Sequence, residues 1–206
     1  MTQRVKVLAM GEHPPALDAR RFEVRSGASI DQTTQVVLAL TERPINDRQA
    51  TALKSFVRRG GGLVLAGGTL AAWSGAKAIR ELAAWLPAGP GPLTELIVRP
   101  DPDHPVTQRL EPEWKIRDTL YLSEGPPAGA SILLRSSWRF TEQVVAYERR
   151  VGEGRFVYLG LRGDTSSTFE KLLGRTVLFA AGMTAADPVG VGLLGYGANR
   201  LGSDLC

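Results

Sequence analysis

The stretch from Asn46 to Gly68 constrains the fold more than any other part of this chain. Apolar Ala50, Leu53, Phe56 and Val57 recur at helical spacing between Ile45 and Arg59, and Asn46 is placed to cap the first turn. Gly60-Gly61-Gly62 then stops the helix, because glycine takes positive φ without strain and lets the chain turn at once. Leu63 to Ala66 is a short unbroken apolar run, the pattern of a strand buried on both faces. A similar run, Thr34 to Leu40, precedes the helix and ends at Thr41-Glu42-Arg43-Pro44. Strand, helix and strand in this order imply a right-handed crossover and a parallel sheet.

The same reading extends along the chain. Val5 to Met10 predicts a first strand, and Gly11 to Pro15 forms the loop after it, where open α/β sheets bind ligands. His13 in that loop is therefore a candidate ligand contact, although a surface histidine held by two prolines accounts for it as well. After the turn Gly67-Gly68-Thr69, Ala76 to Leu86 predicts an amphipathic helix closed by Pro87, and Pro87 to Pro92 predicts a loop. Strands are expected at Leu93 to Val98, Leu120 to Leu122, Ser131 to Leu134, Val144 to Tyr147 and Arg155 to Leu159, the last two as a hairpin. Phe169 to Met183 predicts a helix, and residues 185–188 a linker.

Composition narrows the class. The 206 residues suffice for one α/β domain and are few for two, and 43% hydrophobic with 22% charged residues suits a soluble globular chain. No apolar run reaches the roughly 20 residues of a membrane span, and the start lacks a signal-peptide core, so a cytoplasmic protein with no membrane partner is expected. The single cysteine, Cys206, permits neither an internal disulfide nor a cysteine-rich metal site. The net charge of +4 comes from scattered pairs such as Arg20-Arg21 and Arg58-Arg59, without the basic stripe of a nucleic-acid surface.

Four stretches in order carry a family resemblance: Leu53 to Gly68, Asp103 to Leu110, Asp118 to Tyr121, and Tyr147 to Asp164 followed by a helix. Together they resemble the ThuA-like (trehalose-utilisation) domains of the class I glutamine-amidotransferase-like superfamily. The resemblance implies a three-layer, flavodoxin-like α/β sandwich with a mainly parallel central sheet and a late β-hairpin, over residues 1–184. It also exposes departures. Amidotransferases of the superfamily carry a cysteine nucleophile at the elbow after the strand, and this chain has none there, which excludes glutamine hydrolysis of that type. ThuA-like domains commonly place a histidine in the elbow and a Gly-His-Asp after the late strand. The matching positions here are Gly67 and Arg162-Gly163-Asp164, so glycine replaces both imidazoles while Asp164 remains.

What survives is a set of binding groups: His13, Gly67, Gly68, Thr69, Asp118, Tyr121 and Arg162 could hold a sugar, polyol or sugar phosphate through hydroxyl and guanidinium contacts. Asp164 is the remaining acid/base candidate, and no metal ligand set is recognisable. Alternatively His104, Asp118 and Tyr121 tie loops to the sheet. His104-Pro105-Val106-Thr107 suits an extended segment entering a turn, capped by Asp103 or Thr107.

Val189 to Ala198, VGVGLLGYGA, resembles the opening of the dinucleotide-binding domain of Gfo/Idh/MocA-type oxidoreductases, with Gly195 and Gly197 as its first two glycines and Arg200 where the third belongs. A strand and turn alone bind no cofactor, so NAD(P) is implied only if an oxidoreductase domain follows; otherwise residues 189–206 are a glycine-rich tail. Three functions stay open: a degenerate sugar-binding domain accessory to an oxidoreductase, a hydrolase or isomerase using Asp164, and a structural interaction module. A homo-oligomer is compatible with each.

Overall fold

The computed structural model describes residues 4–11, 17–123, 125, 127–163 and 167–183. Its elements run β1 (Val5–Met10), β2 (Phe22–Ser26), β3 (Val36–Ala39), α1 (Asp47–Arg58), β4 (Gly62–Ala66), α2 (Thr69–Trp73), α3 (Lys77–Ala83), β5 (Gly89–Pro100), β6 (Trp114–Leu122), β7 (Ser131–Trp138), β8 (Thr141–Val151), β9 (Gly154–Leu159) and α4 (Ser167–Ala180). One sheet joins all nine strands in the order β2-β1-β3-β4-β9-β8-β7-β5-β6.

The mainly parallel sheet expected from the sequence needs correction. Pairing is parallel only from β2 to β9, where apolar strands such as Val36–Ala39 are covered on both faces. The longer ladders from β9 to β6 are antiparallel, as their hairpin connections allow. The result is a mixed α/β sandwich. On one face α1, α2 and α3 bury Leu53, Leu70 and Ile79 against Leu8, Leu63 and Tyr158. On the other, α4 buries Leu172, Leu173 and Val177 against Val7, Val64 and Val157.

Local chemistry sets the element ends. Asn46 caps α1 by accepting a hydrogen bond from the Gln49 N–H at 2.9 Å, and α3 ends at Ala84 in the left-handed region, before the expected stop at Pro87. The segment Pro87 to Pro92 is only partly the loop expected: β5 begins at Gly89. The register slips between Pro90 and Leu93, and there β5 pairs with β6 alone, so the missing proline N–H groups break no ladder on its other side.

The antiparallel half curls back on the parallel half. Although β6 is the last strand of the sheet, the Ser123 N–H that follows it donates to Gln143 Oε1 on β8 at 2.7 Å, and Asp118 within it reaches the loop after β9. The outermost strand thereby overhangs the C-terminal ends of β4 and β9. Among the described residues no helix is long and apolar enough to cross a membrane.

Candidate functional site

A cleft of about 510 Å³ opens where β6 meets those strand ends, lined by Glu42, Pro90, Gly91, Leu93, Arg117, Asp118, Thr119, Tyr121, Arg162 and Gly163. A larger hollow of about 950 Å³ lies at the opposite, N-terminal end of the parallel strands, between α1 and the loop before β3. The smaller cleft is the better candidate, because polar groups from separate loops and strands converge there at the carboxyl ends of the sheet.

Asp118 organises it. The residue is buried, and its Oδ2 accepts hydrogen bonds from the consecutive N–H groups of Arg162 at 2.8 Å and Gly163 at 3.0 Å, while Oδ1 accepts from the Thr119 N–H at 2.7 Å. Three donors compensate a carboxylate that would otherwise be costly to bury. The loop after β9 is fixed to β6 by this contact.

Gly67 sits at the elbow after β4 with φ +55, and its N–H lies within bonding distance of the Leu159 and Leu161 carbonyls, at 2.9 and 3.0 Å. A Cβ there would stand 2.8 Å from Cγ of Arg162. Gly163, at φ +87, faces a similar limit, since a Cβ would stand 2.0 Å from the Phe169 ring. The two positions where the resemblance places imidazoles are thus filled by the stem of Arg162 and the ring of Phe169. Beside them, the Tyr121 hydroxyl lies over Gly68, 2.4 Å from where a Cβ would be. Burial first, and the nearby Asp118 charge second, push the Tyr121 pKa up, so the phenol stays a hydrogen-bond donor.

Gly67, Gly68, Asp118, Tyr121 and Arg162 therefore meet at this place. Thr69 does not join them. Its fully buried hydroxyl donates toward the Ala66 carbonyl at 2.7 Å and accepts from the Thr41 N–H at 2.9 Å, so it binds the elbow to the end of β3 rather than facing a ligand. His13, Asp164, Gly195 and Gly197 lie outside the described residues. His104 is distant from the cleft in role: its Nδ1 accepts from the Val106 N–H, and its ring stands edge-on to Phe179 at 5.0 Å. Sequence reasoning missed Glu42, which pairs with Arg162 across the mouth, and Arg117. Position was the available signal: Glu42 follows a parallel strand's carboxyl end, and Arg117 directly precedes the Asp118 to Tyr121 motif. Among the described residues no three His, Cys, Asp or Glu side chains come together as a metal site.

Residues 16–183 match the sequence profile of the ThuA family, described as trehalose utilisation. The chain belongs to the ThuA family. The ThuA fold is shared with a putative ThuA-like protein from Parabacteroides merdae at a TM-score of 0.72, with 16% identity over 90% of this chain and 93% of that one. A putative ThuA-like protein from Bacteroides uniformis follows at 0.68, with 15% identity over 88% and 95% of the two chains. A β-galactosidase from Bacillus circulans matches at 0.66, with 13% identity over 88% of this chain but only 32% of the enzyme. At such identities the likeness speaks for the fold. Among curated proteins, none matches.

Proposed function

We propose that this ThuA domain is catalytically degenerate and binds a sugar or polyol in the cleft of Asp118, Tyr121 and Arg162, as an accessory to an NAD(P)-dependent oxidoreductase of the Gfo/Idh/MocA type. The observation that carries the first part is steric: Arg162 and Phe169 occupy the space at Gly67 and Gly163 that imidazoles would need. Without them the described cleft offers hydrogen-bond donors but no general base next to a nucleophile. The accessory role rests on the sequence around Gly195 and Gly197. It is also supported by the appearance of this fold as about a third of a β-galactosidase, a sugar-processing enzyme larger than the fold itself.

Thermal denaturation with trehalose, glucose and myo-inositol tests the binding. A saturable rise in Tm that Tyr121→Phe weakens is expected, and no shift with any of them would overturn it. For the accessory role, the native protein's intact mass should exceed the 22.2 kDa of this chain, or an oxidoreductase should co-purify. A 22.2 kDa species without such a partner would refute it. The alternative, a hydrolase or isomerase, stands on Asp164 following directly on the anchored Gly163. It requires turnover that Asp164→Asn abolishes.

A further inference from the structure

The charges on the cleft wall are unequal in availability. Arg117 of β6 stands opposite Glu95 of β5 in the sheet register, but the Glu95 carboxylate pairs with Lys115 at 3.0 Å. Among the described residues Arg117, which lines the cleft, has no ionic partner. Among the described residues Arg162 is paired only with Glu42, and both side chains are largely exposed, 48% and 70% respectively, which makes the pair weak and exchangeable. The other carboxylate, Asp118, has both oxygens engaged by main-chain N–H groups. Tyr121 is 7% exposed, and its hydroxyl has no hydrogen-bond partner among the described residues. Two guanidinium groups and a phenol are thus available as donors, against a single displaceable acceptor.

We infer that the cleft takes a phosphorylated sugar, with Arg162 exchanging Glu42 for the phosphoryl oxygens and Arg117 reaching them from β6. Planar guanidinium forks match phosphate oxygens, and a rim carboxylate that leaves on binding keeps the site neutral when empty. The sugar hydroxyls then face Tyr121 and Thr119. This rests on the cleft being the sugar site proposed above and names the charge its ligand carries.

Calorimetric titration of the full chain with trehalose and glucose, their 6-phosphates and inorganic phosphate tests it. Each 6-phosphate should bind on the order of tenfold or more tighter than its parent sugar, the gain of one charge-assisted contact pair. Arg117→Gln should cut that ratio several-fold, and Arg117→Gln combined with Arg162→Gln should bring it close to one. Equal affinity for sugar and sugar phosphate overturns this inference while leaving the sugar site standing. Failure of every sugar and sugar phosphate to bind overturns both. Inorganic phosphate binding as tightly as the 6-phosphates, in an Arg117-dependent way, overturns the sugar component and leaves a bare anion site.

Discussion

Gly67 and Arg162 share one space: a Cβ on the glycine would lie 2.8 Å from Cγ of the arginine. Gly67→Ala should lower stability by about 1–2 kcal/mol, combining the left-handed backbone penalty with this contact. In an Arg162→Gly background the backbone part and the 3.1 Å approach to Leu40 Cδ1 remain while the Arg162 contact is gone, so the two changes should combine with a smaller loss than their sum. Urea unfolding of the four proteins in the cycle decides it. Strict additivity would show that the contact carries no energy.

Gly163 and Phe169 make a harsher case, because the ring is buried and cannot swing into solvent. Gly163→Ala should cost about 2–3 kcal/mol by overpacking at positive φ, and Phe169→Ala about 3–5 kcal/mol by leaving a cavity. The double variant should be more stable than the sum predicts by at least about 1 kcal/mol, as the new methyl enters the vacated volume.

Removing the Asp118 carboxylate strands three amides, the consecutive pair of Arg162 and Gly163 and that of Thr119. Asp118→Ala should cost about 3 kcal/mol, on the scale of 1–3 kcal/mol per buried polar group left unpaired. Asp118→Asn retains one acceptor oxygen and should cost roughly half of that. Hydrogen exchange at Arg162 and Gly163 should quicken markedly in the alanine variant; unchanged protection of those amides would contradict the anchoring role.

Tyr121→Phe should separate binding from folding. With no partner for the hydroxyl among the described residues, stability should stay within about 0.5 kcal/mol of the parent, while sugar affinity falls several-fold. A large loss of stability would reassign Tyr121 to the scaffold.

Acid should loosen the packing of His104 on Phe179. Burial is the main cause holding the His104 pKa below its usual value, with the Arg155 charge adding to it and Asp101 opposing. The unfolded chain then binds more protons just below pH 6.5, so stability falls as pH drops through that value and levels off below the folded pKa. His104→Gln should flatten this part of a urea midpoint series. Asp31 acts lower: hydrogen bonds from Thr34 and Thr33 hold its pKa to about 2, so its contribution is present above pH 4 and disappears toward pH 2.

Legibility from sequence followed how local the cause was. Helix α1 with its Asn46 cap, strands β1 and β4, and the β8–β9 hairpin lay within a residue or a few of expectation, since apolar runs and glycines mark them. Strand β2 escaped because Phe22 is its only buried residue, leaving no alternation to detect. The β7–β8 hairpin escaped for another reason: Arg139 and Phe140 hold positive φ at its turn, where glycine or asparagine would have announced it. In the cleft, the Asp118 to Tyr121 motif points to two of the lining residues. That Arg162 fills the place of the absent imidazole at Gly67 depends on contacts across the chain that no spacing encodes.

The filled positions at Gly67 and Gly163 also bear on which changes the domain can accept. A histidine introduced at either would meet a side chain already in its place, and each change alone would weaken the domain. Accommodating one needs paired changes, each half unfavourable by itself. The packing thus couples each glycine to its neighbour, so that a larger side chain enters either position only together with a change at Arg162 or Phe169.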